Sequence, residues 1–191
     1  KKKASSSEDD RINFMLSAYF PASEIEIHNY NRLIANLGGL TENQFIEQLG
    51  AYYQLTKVSK SYFPNSKFEM GMFIGKQWYQ LKLKKNYLPK RSTAVNETLD
   101  VHMFNELVLK GILNIEDVRT EPDIKYLEGP KGAFGLERRV REGKAAVAFN
   151  LYPVALEDLI KISDQDHCLP PKSTWIEPRM RNGFIAHLYK E

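Results

Sequence analysis

The stretch Ala145–Tyr152 reads AAVAFNLY, and Asn150 is its only polar residue. A run this apolar, stopped by Pro153, is a buried strand rather than one with a wet face. It fixes much of what the chain can become. Upstream lie a strand pattern at Ile124–Leu127, a glycine-rich loop at Gly129–Gly135, and a short helix at Leu136–Glu142 closed by Gly143. Strand, helix and buried strand in succession imply one parallel crossover. Downstream, Leu156, Leu159 and Ile160 give the inward face of a helix, and Phe184–Tyr189 reads as a last strand.

The rest of the chain supplies antiparallel material. Phe14–Phe20 alternates apolar residues on both faces and is expected to be a central strand, with Ile25–Ile27 returning beside it. Thr41 and Gln44 have capping-box spacing, Leu40 and Phe45 sit as a hydrophobic staple, and Phe45, Ile46 and Leu49 form the buried face of a helix that Gly50 ends. A short strand follows at Tyr52–Lys57. Phe68–Lys85 alternates around Gly75-Lys76 as a hairpin. Asp100 is placed to cap a helix with Val101, Phe104, Leu107, Val108 and Ile112 inward. The fold class is therefore α+β: a mixed, mainly antiparallel sheet with one βαβ-type crossover in the C-terminal third and helices packed against it. Residues 1–11 read as a frayed segment and 12–191 as a single domain.

Composition sets limits on function. The 191 residues are 42% apolar and 27% charged, enough for a core. The net charge of +3 does not argue for a nucleic-acid binder. One cysteine, Cys168, excludes an internal disulfide and a Cys-rich zinc site, and the four histidines have no ligand spacing, so no structural zinc is expected. There is no run near the roughly 20 apolar residues that cross a bilayer. A cytoplasmic location is expected.

Leu169–Gly183, LPPKSTWIEPRMRNG, is the segment richest in chemistry. Lys172 brings a compact cation, Ser173 and Thr174 bring hydroxyls, and Arg179 with Arg181 can clamp a planar anion. Glu177 suits a metal, an amine or one of those arginines. The alternative is a proline-stiffened structural loop whose Trp175 and Ile176 plug the core. The glycines upstream that a P-loop needs are missing. Gly129, Gly132 and Gly135, with Lys131 among them, can present backbone N–H groups to an anion, although a flexible connection is the simpler reading. Lys82–Arg91 carries five cations and Tyr87, which suits an edge strand guarded by lysines better than a nucleic-acid patch.

Several stretches taken together, Tyr30-Asn31-Arg32, Leu99-Asp100-Val101, Asp117–Thr120 and Leu169–Arg179, resemble the C-terminal part of the bacterial family called domain of unknown function 1015. The resemblance runs from about Phe14 to Tyr189. It implies a protein about twice this length, whose N-terminal half, distantly like ParB and free serine kinases, carries a Gly-His-His-Arg motif not found here. It implies that Lys172, Ser173, Thr174, Glu177 and Arg179 lie where the two halves meet, with Arg32 and Arg119 facing the same place. A Ser or Thr helix cap expected from the family is replaced at Val154–Ala155. The activity implied is phosphoryl transfer to a small amino acid or similar metabolite, with Mg²⁺ accompanying a phosphate donor and the other half supplying the base and metal ligands. The alternative is a non-catalytic ParB-like module that contacts nucleic acid. The partners expected are a small anionic metabolite and the N-terminal half, not a membrane.

Overall fold

The computed structural model describes residues 13–90, 92–179, 183, 185 and 186. The chain divides into two units, Ile27–Trp175 and Lys1–Glu26 with Ile176–Glu191. The first holds a six-stranded sheet. Its strands are β2 (Tyr30–Ile34), β3 (Tyr53–Val58), β4 (Glu69–Ile74), β5 (Gln77–Leu83), β6 (Ile124–Glu128) and β7 (Val147–Leu151), in the order β3-β5-β4-β7-β2-β6. Every ladder between neighbours is antiparallel. The expected crossover is present in split form. β6 and β7 both run antiparallel to β2, so they are parallel to each other with β2 between them. β1 (Glu26–His28) and β8 (Trp175–Glu177) pair as a separate two-stranded sheet.

β7 is buried along its whole length near the middle of the sheet. Its odd and even residues feed two cores. On one face Ile34, Met72, Val147 and Phe149 pack with Phe45 and Leu49 of α1 (Glu42–Tyr52) and with Val101 and Phe104 of α2 (Asp100–Phe104). Ile162 of α4 (Leu156–Asp164) joins the same core. On the other face Leu33, Phe73, Leu127 and Ala148 pack with Ala133 and Leu136 of α3 (Gly132–Arg141). Helices on both faces explain why the strand at the centre has almost no polar residue.

Local chemistry corrects several expectations. The capping box of α1 is complete, with the Gln44 N–H on Thr41 Oγ1 at 3.3 Å and the Thr41 N–H on Gln44 Oε1 at 2.9 Å. Gly50 does not end that helix. It continues to Tyr52 and turns directly into β3 at the buried Tyr53, while Lys84 donates to the Gly50 carbonyl. Asp100 does not cap α2. Leu99 stands at the cap position, and the Asp100 carboxylate is taken by the Phe68 N–H at 2.6 Å. After Phe104 the helix widens into a π-helix at Asn105–Lys110. The glycine-rich loop is mostly helix: a 3₁₀ turn at Gly129–Lys131 runs straight into α3. In α4, Ile160 is exposed and Asp158 is buried instead, because Lys67 reaches it at 2.5 Å. β5 is no edge strand, since it lies between β3 and β4, and Lys82 pairs with Glu69 at 3.1 Å. Arg91 of that basic stretch lies outside the described residues.

Phe14–Phe20 is not a strand. Phe14 is 68% and Tyr19 93% exposed, and no ladder forms there. Alternation supplies faces, but a strand also needs a hydrogen-bonding neighbour, and none of the described strands offers one. The strand expected at Phe184–Tyr189 falls mostly outside the described residues, as does the N-terminal segment 1–11.

Candidate anion site

Arg32 lies on central strand β2, yet it is only 2% exposed. Two backbone carbonyls take its guanidinium: Tyr30 O at 2.5 Å and Lys172 O at 3.0 Å. Its cross-strand partner in the register is Tyr126, and the guanidinium carbon stands 4.9 Å from that ring's centre. Among the described residues no carboxylate lies within ion-pair distance of it. Burial therefore lowers its pKa to about 10, with the Tyr126 phenol pulling the other way. It stays charged at neutral pH. Burial raises the Tyr126 phenol in turn, opposed by Arg32.

The loop that Arg32 holds is the proline-stiffened segment. Lys172 adopts φ 55°, a left-handed conformation that costs a residue with a side chain about 1 kcal/mol or more. Its carbonyl faces Arg32, while its Nζ stands 5.3 Å above the ring of Tyr30. Tyr30 is an edge-to-face neighbour of Tyr126 (6.2 Å) and Trp175 (5.6 Å). Ser173 is buried, and its hydroxyl donates to Pro170 O at 2.5 Å, which closes the turn. Its lone pairs remain for a donor. Thr174 is half-buried beside it.

Arg119 reaches this region only through an intermediary. The Tyr126 hydroxyl donates to Val118 O at 3.4 Å, which ties Arg119's loop to the ring beneath Arg32. The Arg119 side chain itself is exposed, and its Nε lies 3.1 Å from Asp117 Oδ1. It borders a cleft of about 320 Å³ with Asn105, Lys110, Glu116 and Pro171. The structure thus gathers Arg32, Lys172, Ser173 and Thr174 in one place, with Arg119 at its margin. Glu177 and Arg179 belong to the other unit, and Arg181 lies outside the described residues.

Sequence reasoning missed the aromatic set of Tyr30, Tyr126 and Trp175. The signal was available in β2: Tyr30 and Arg32 are two apart and share a face, and a charged residue in a short central strand needs partners. The neighbouring polar residue, Asn31, points to the opposite face and was also missed.

The family model described as "Protein of unknown function (DUF1015)" matches residues 1–102. The chain belongs to this family. The matched span includes Arg32 and stops well short of the Lys172 loop. No curated protein matches the chain in sequence. Among solved structures, a conserved hypothetical protein from Pyrococcus furiosus is similar at a TM-score of 0.50 and 11% identity, over 85% of this chain and 60% of that one. A free serine kinase in complex with AMP is similar at a TM-score of 0.47 and 9% identity, over 81% of this chain and 55% of that one. The chain thus spans 55% to 60% of the length of these structures, and at such identities the likeness concerns the fold alone. Among the described residues no helix is long and apolar enough to cross a membrane, and no three His, Cys, Asp or Glu side chains converge to hold a metal.

Proposed function

We propose that this family member handles phosphate on a small metabolite, as a phosphotransferase acting on an amino acid or similar compound, and that the region around Lys172 supplies its anion-binding charge. The observation that supports this reading is Arg32, a buried guanidinium with no carboxylate partner among the described residues, which holds the backbone of a second cation, Lys172. Charge left uncompensated in a low-dielectric setting is an attractor for an anion. Arg32 does not touch the ligand in this reading. It fixes the loop and contributes positive potential, while the Lys172 ammonium and the hydroxyls of Ser173 and Thr174 make the contacts. Tyr30 and Trp175 form an apolar wall that keeps water from competing.

Arg119 completes the proposed set as a secondary contact. A Mg²⁺ ion brought with a phosphate donor would stabilise charge on the transferred group. Its protein ligands and the general base are proposed to come from polypeptide beyond these residues.

The test uses the complete natural protein, screened for phosphate transfer from nucleotide and pyrophosphate donors to a panel of amino acids. With a substrate in hand, Lys172→Ala is expected to lower kcat/KM by about 10- to 100-fold, while Arg119→Ala has a smaller effect. No transfer from any donor, or full activity in Lys172→Ala, removes the loop from the mechanism.

A further inference from the structure

A second cleft lies on the α3 side of the sheet and shares no residue with the Lys172 region. It has a volume of about 200 Å³, and three separate stretches converge on it. They are the loop that leaves β3 at Ser59–Ser61, the β4–β5 turn at Lys76, and the later turns of α3 at Glu137 and Arg141. All three belong to the unit Ile27–Trp175. The floor is a tilted ring pair, Phe73 and Trp78, with centroids 5.3 Å apart. Gln77 fixes the point where the loop departs: its Nε2 donates to Val58 O at 2.7 Å and to Trp78 O at 2.8 Å.

The charge in this cleft is one-sided. Lys60, Lys76 and Arg141 line it, and among the described residues Glu137 is the one carboxylate that does. Both oxygens of that carboxylate are already taken. The Trp78 indole N–H donates to Oε1 at 2.7 Å, and Arg141 Nη2 donates to Oε2 at 3.3 Å. The Arg141 guanidinium also stands over the Phe73 ring, 5.3 Å from its centroid. Stacked there and paired through one nitrogen, it is oriented in advance, while Nε and Nη1 keep their donors. Among the described residues no carboxylate lies within ion-pair distance of Lys60 or Lys76. Three cations against one carboxylate leave a net charge of +2. The C-terminal end of the α3 dipole opposes an anion with only about half a charge, and the Arg138, Arg139 and Val140 carbonyls there already accept N–H groups from Glu142, Lys144 and Gly143. The volume falls below the roughly 300–1,000 Å³ of pockets that hold a drug-sized molecule. The cleft therefore suits one charged group rather than a whole nucleotide.

We propose that the cleft between Ser59–Ser61, Lys76 and Arg141 binds the phosphoryl group of a small phosphorylated ligand. Arg141 supplies an oriented fork for two of its oxygens, Lys60 and Lys76 supply charge, and the Ser59 and Ser61 hydroxyls are further donors. A dianion gains more from three cations than a carboxylate does. The site stands independently of the function proposed above.

The experiment is a titration of the ¹⁵N-labelled 191-residue chain with inorganic phosphate, with glycerol 3-phosphate as a small monoester, and with acetate. Ionic strength is matched throughout, because salt screens exposed charges. The Ser59, Lys60 and Ser61 amides and the Trp78 indole N–H are expected to shift along one saturating curve with each phosphate compound. Acetate is expected to bind about tenfold more weakly or worse. Lys60 and Arg141 are exposed, so Lys60→Glu and Arg141→Gln leave the fold intact, which unchanged shifts elsewhere in the spectrum verify. Each change is expected to weaken phosphate binding about tenfold or more. Lys172→Ala is expected to leave the curve unchanged, so this site and the Lys172 loop succeed or fail separately. The proposal is overturned by shifts that do not saturate, by an equal response to acetate, or by a response to inorganic phosphate alone. Wild-type affinity in both cleft variants, or lost binding in Lys172→Ala, overturns it as well.

Discussion

Of the four described non-glycine residues in the left-handed conformation, Phe68, Asn114, Asp166 and Lys172, Lys172 and Phe68 are each pinned by an ionisable side chain from another element. At Lys172 a cation grips the carbonyl: Arg32 Nη2 donates to Lys172 O at 3.0 Å. At Phe68 an anion grips the amide: Asp100 Oδ1 accepts the Phe68 N–H at 2.6 Å. The difference between the clamps is the proton. Burial pushes the Asp100 carboxyl up to about 7, against the Phe68 N–H and the nearby Lys67. Burial lowers Arg32 only to about 10. One clamp changes charge around neutral pH and the other does not. A fixed charge suits the anion-binding role proposed for the Lys172 loop. A dischargeable one suits a joint between a helix and a sheet, where Lys67 and Asp158 bind the same corner.

The largest test of this contrast is Arg32→Ala. It removes the donor for two carbonyls and leaves a void, so a stability loss of about 3 kcal/mol is expected in a denaturant titration. Arg32→Lys keeps the charge without the fork and should fall between the two. A loss in Arg32→Ala near zero would mean that the guanidinium is no clamp.

Next in size is the pH dependence from Asp100. Its folded pKa, about 7, lies above the ordinary 3.8. Between those values the unfolded chain has released a proton that the folded chain keeps. Stability from this group is therefore complete below the lower value and falls as pH rises through the upper one. Asp100→Asn keeps an acceptor for Phe68 and should flatten the curve between pH 4 and 7 by ~2 kcal/mol. A curve as steep in Asp100→Asn as in the wild type would assign the slope to other groups. The smallest effect is expected from Lys172→Gly. Relief of the left-handed strain should stabilise the fold by about 0.5–1 kcal/mol, while anion affinity at the loop drops.

The elements legible in the sequence were those whose signals are local. Thr41 and Gln44 announced α1, Gly75 announced the β4–β5 turn, and the apolar run at Ala145–Tyr152 announced the centre of the sheet. Less legible was whatever a distant partner decides. Asp100 has the chemistry of a helix cap, but an amide 32 residues away claims it. Tyr30–Ile34 carries Asn31 and Arg32 in the middle of a strand, and only the packing of Tyr126 on one face and α3 on the other makes those residues tolerable inside. For the same reason the loop at Lys172 was visible as chemistry, while its aromatic floor was not. The floor comes from three separate stretches of chain.

β2 sits between β7 and β6, both of which are made some 90 residues or more after it. During synthesis β3 and β5 have all their partners early, whereas β2 must wait for almost the whole unit to leave the ribosome. Its closure on both sides is a late, long-range event. The nascent chain must therefore shelter a strand holding an arginine and an asparagine until the segments that satisfy them arrive.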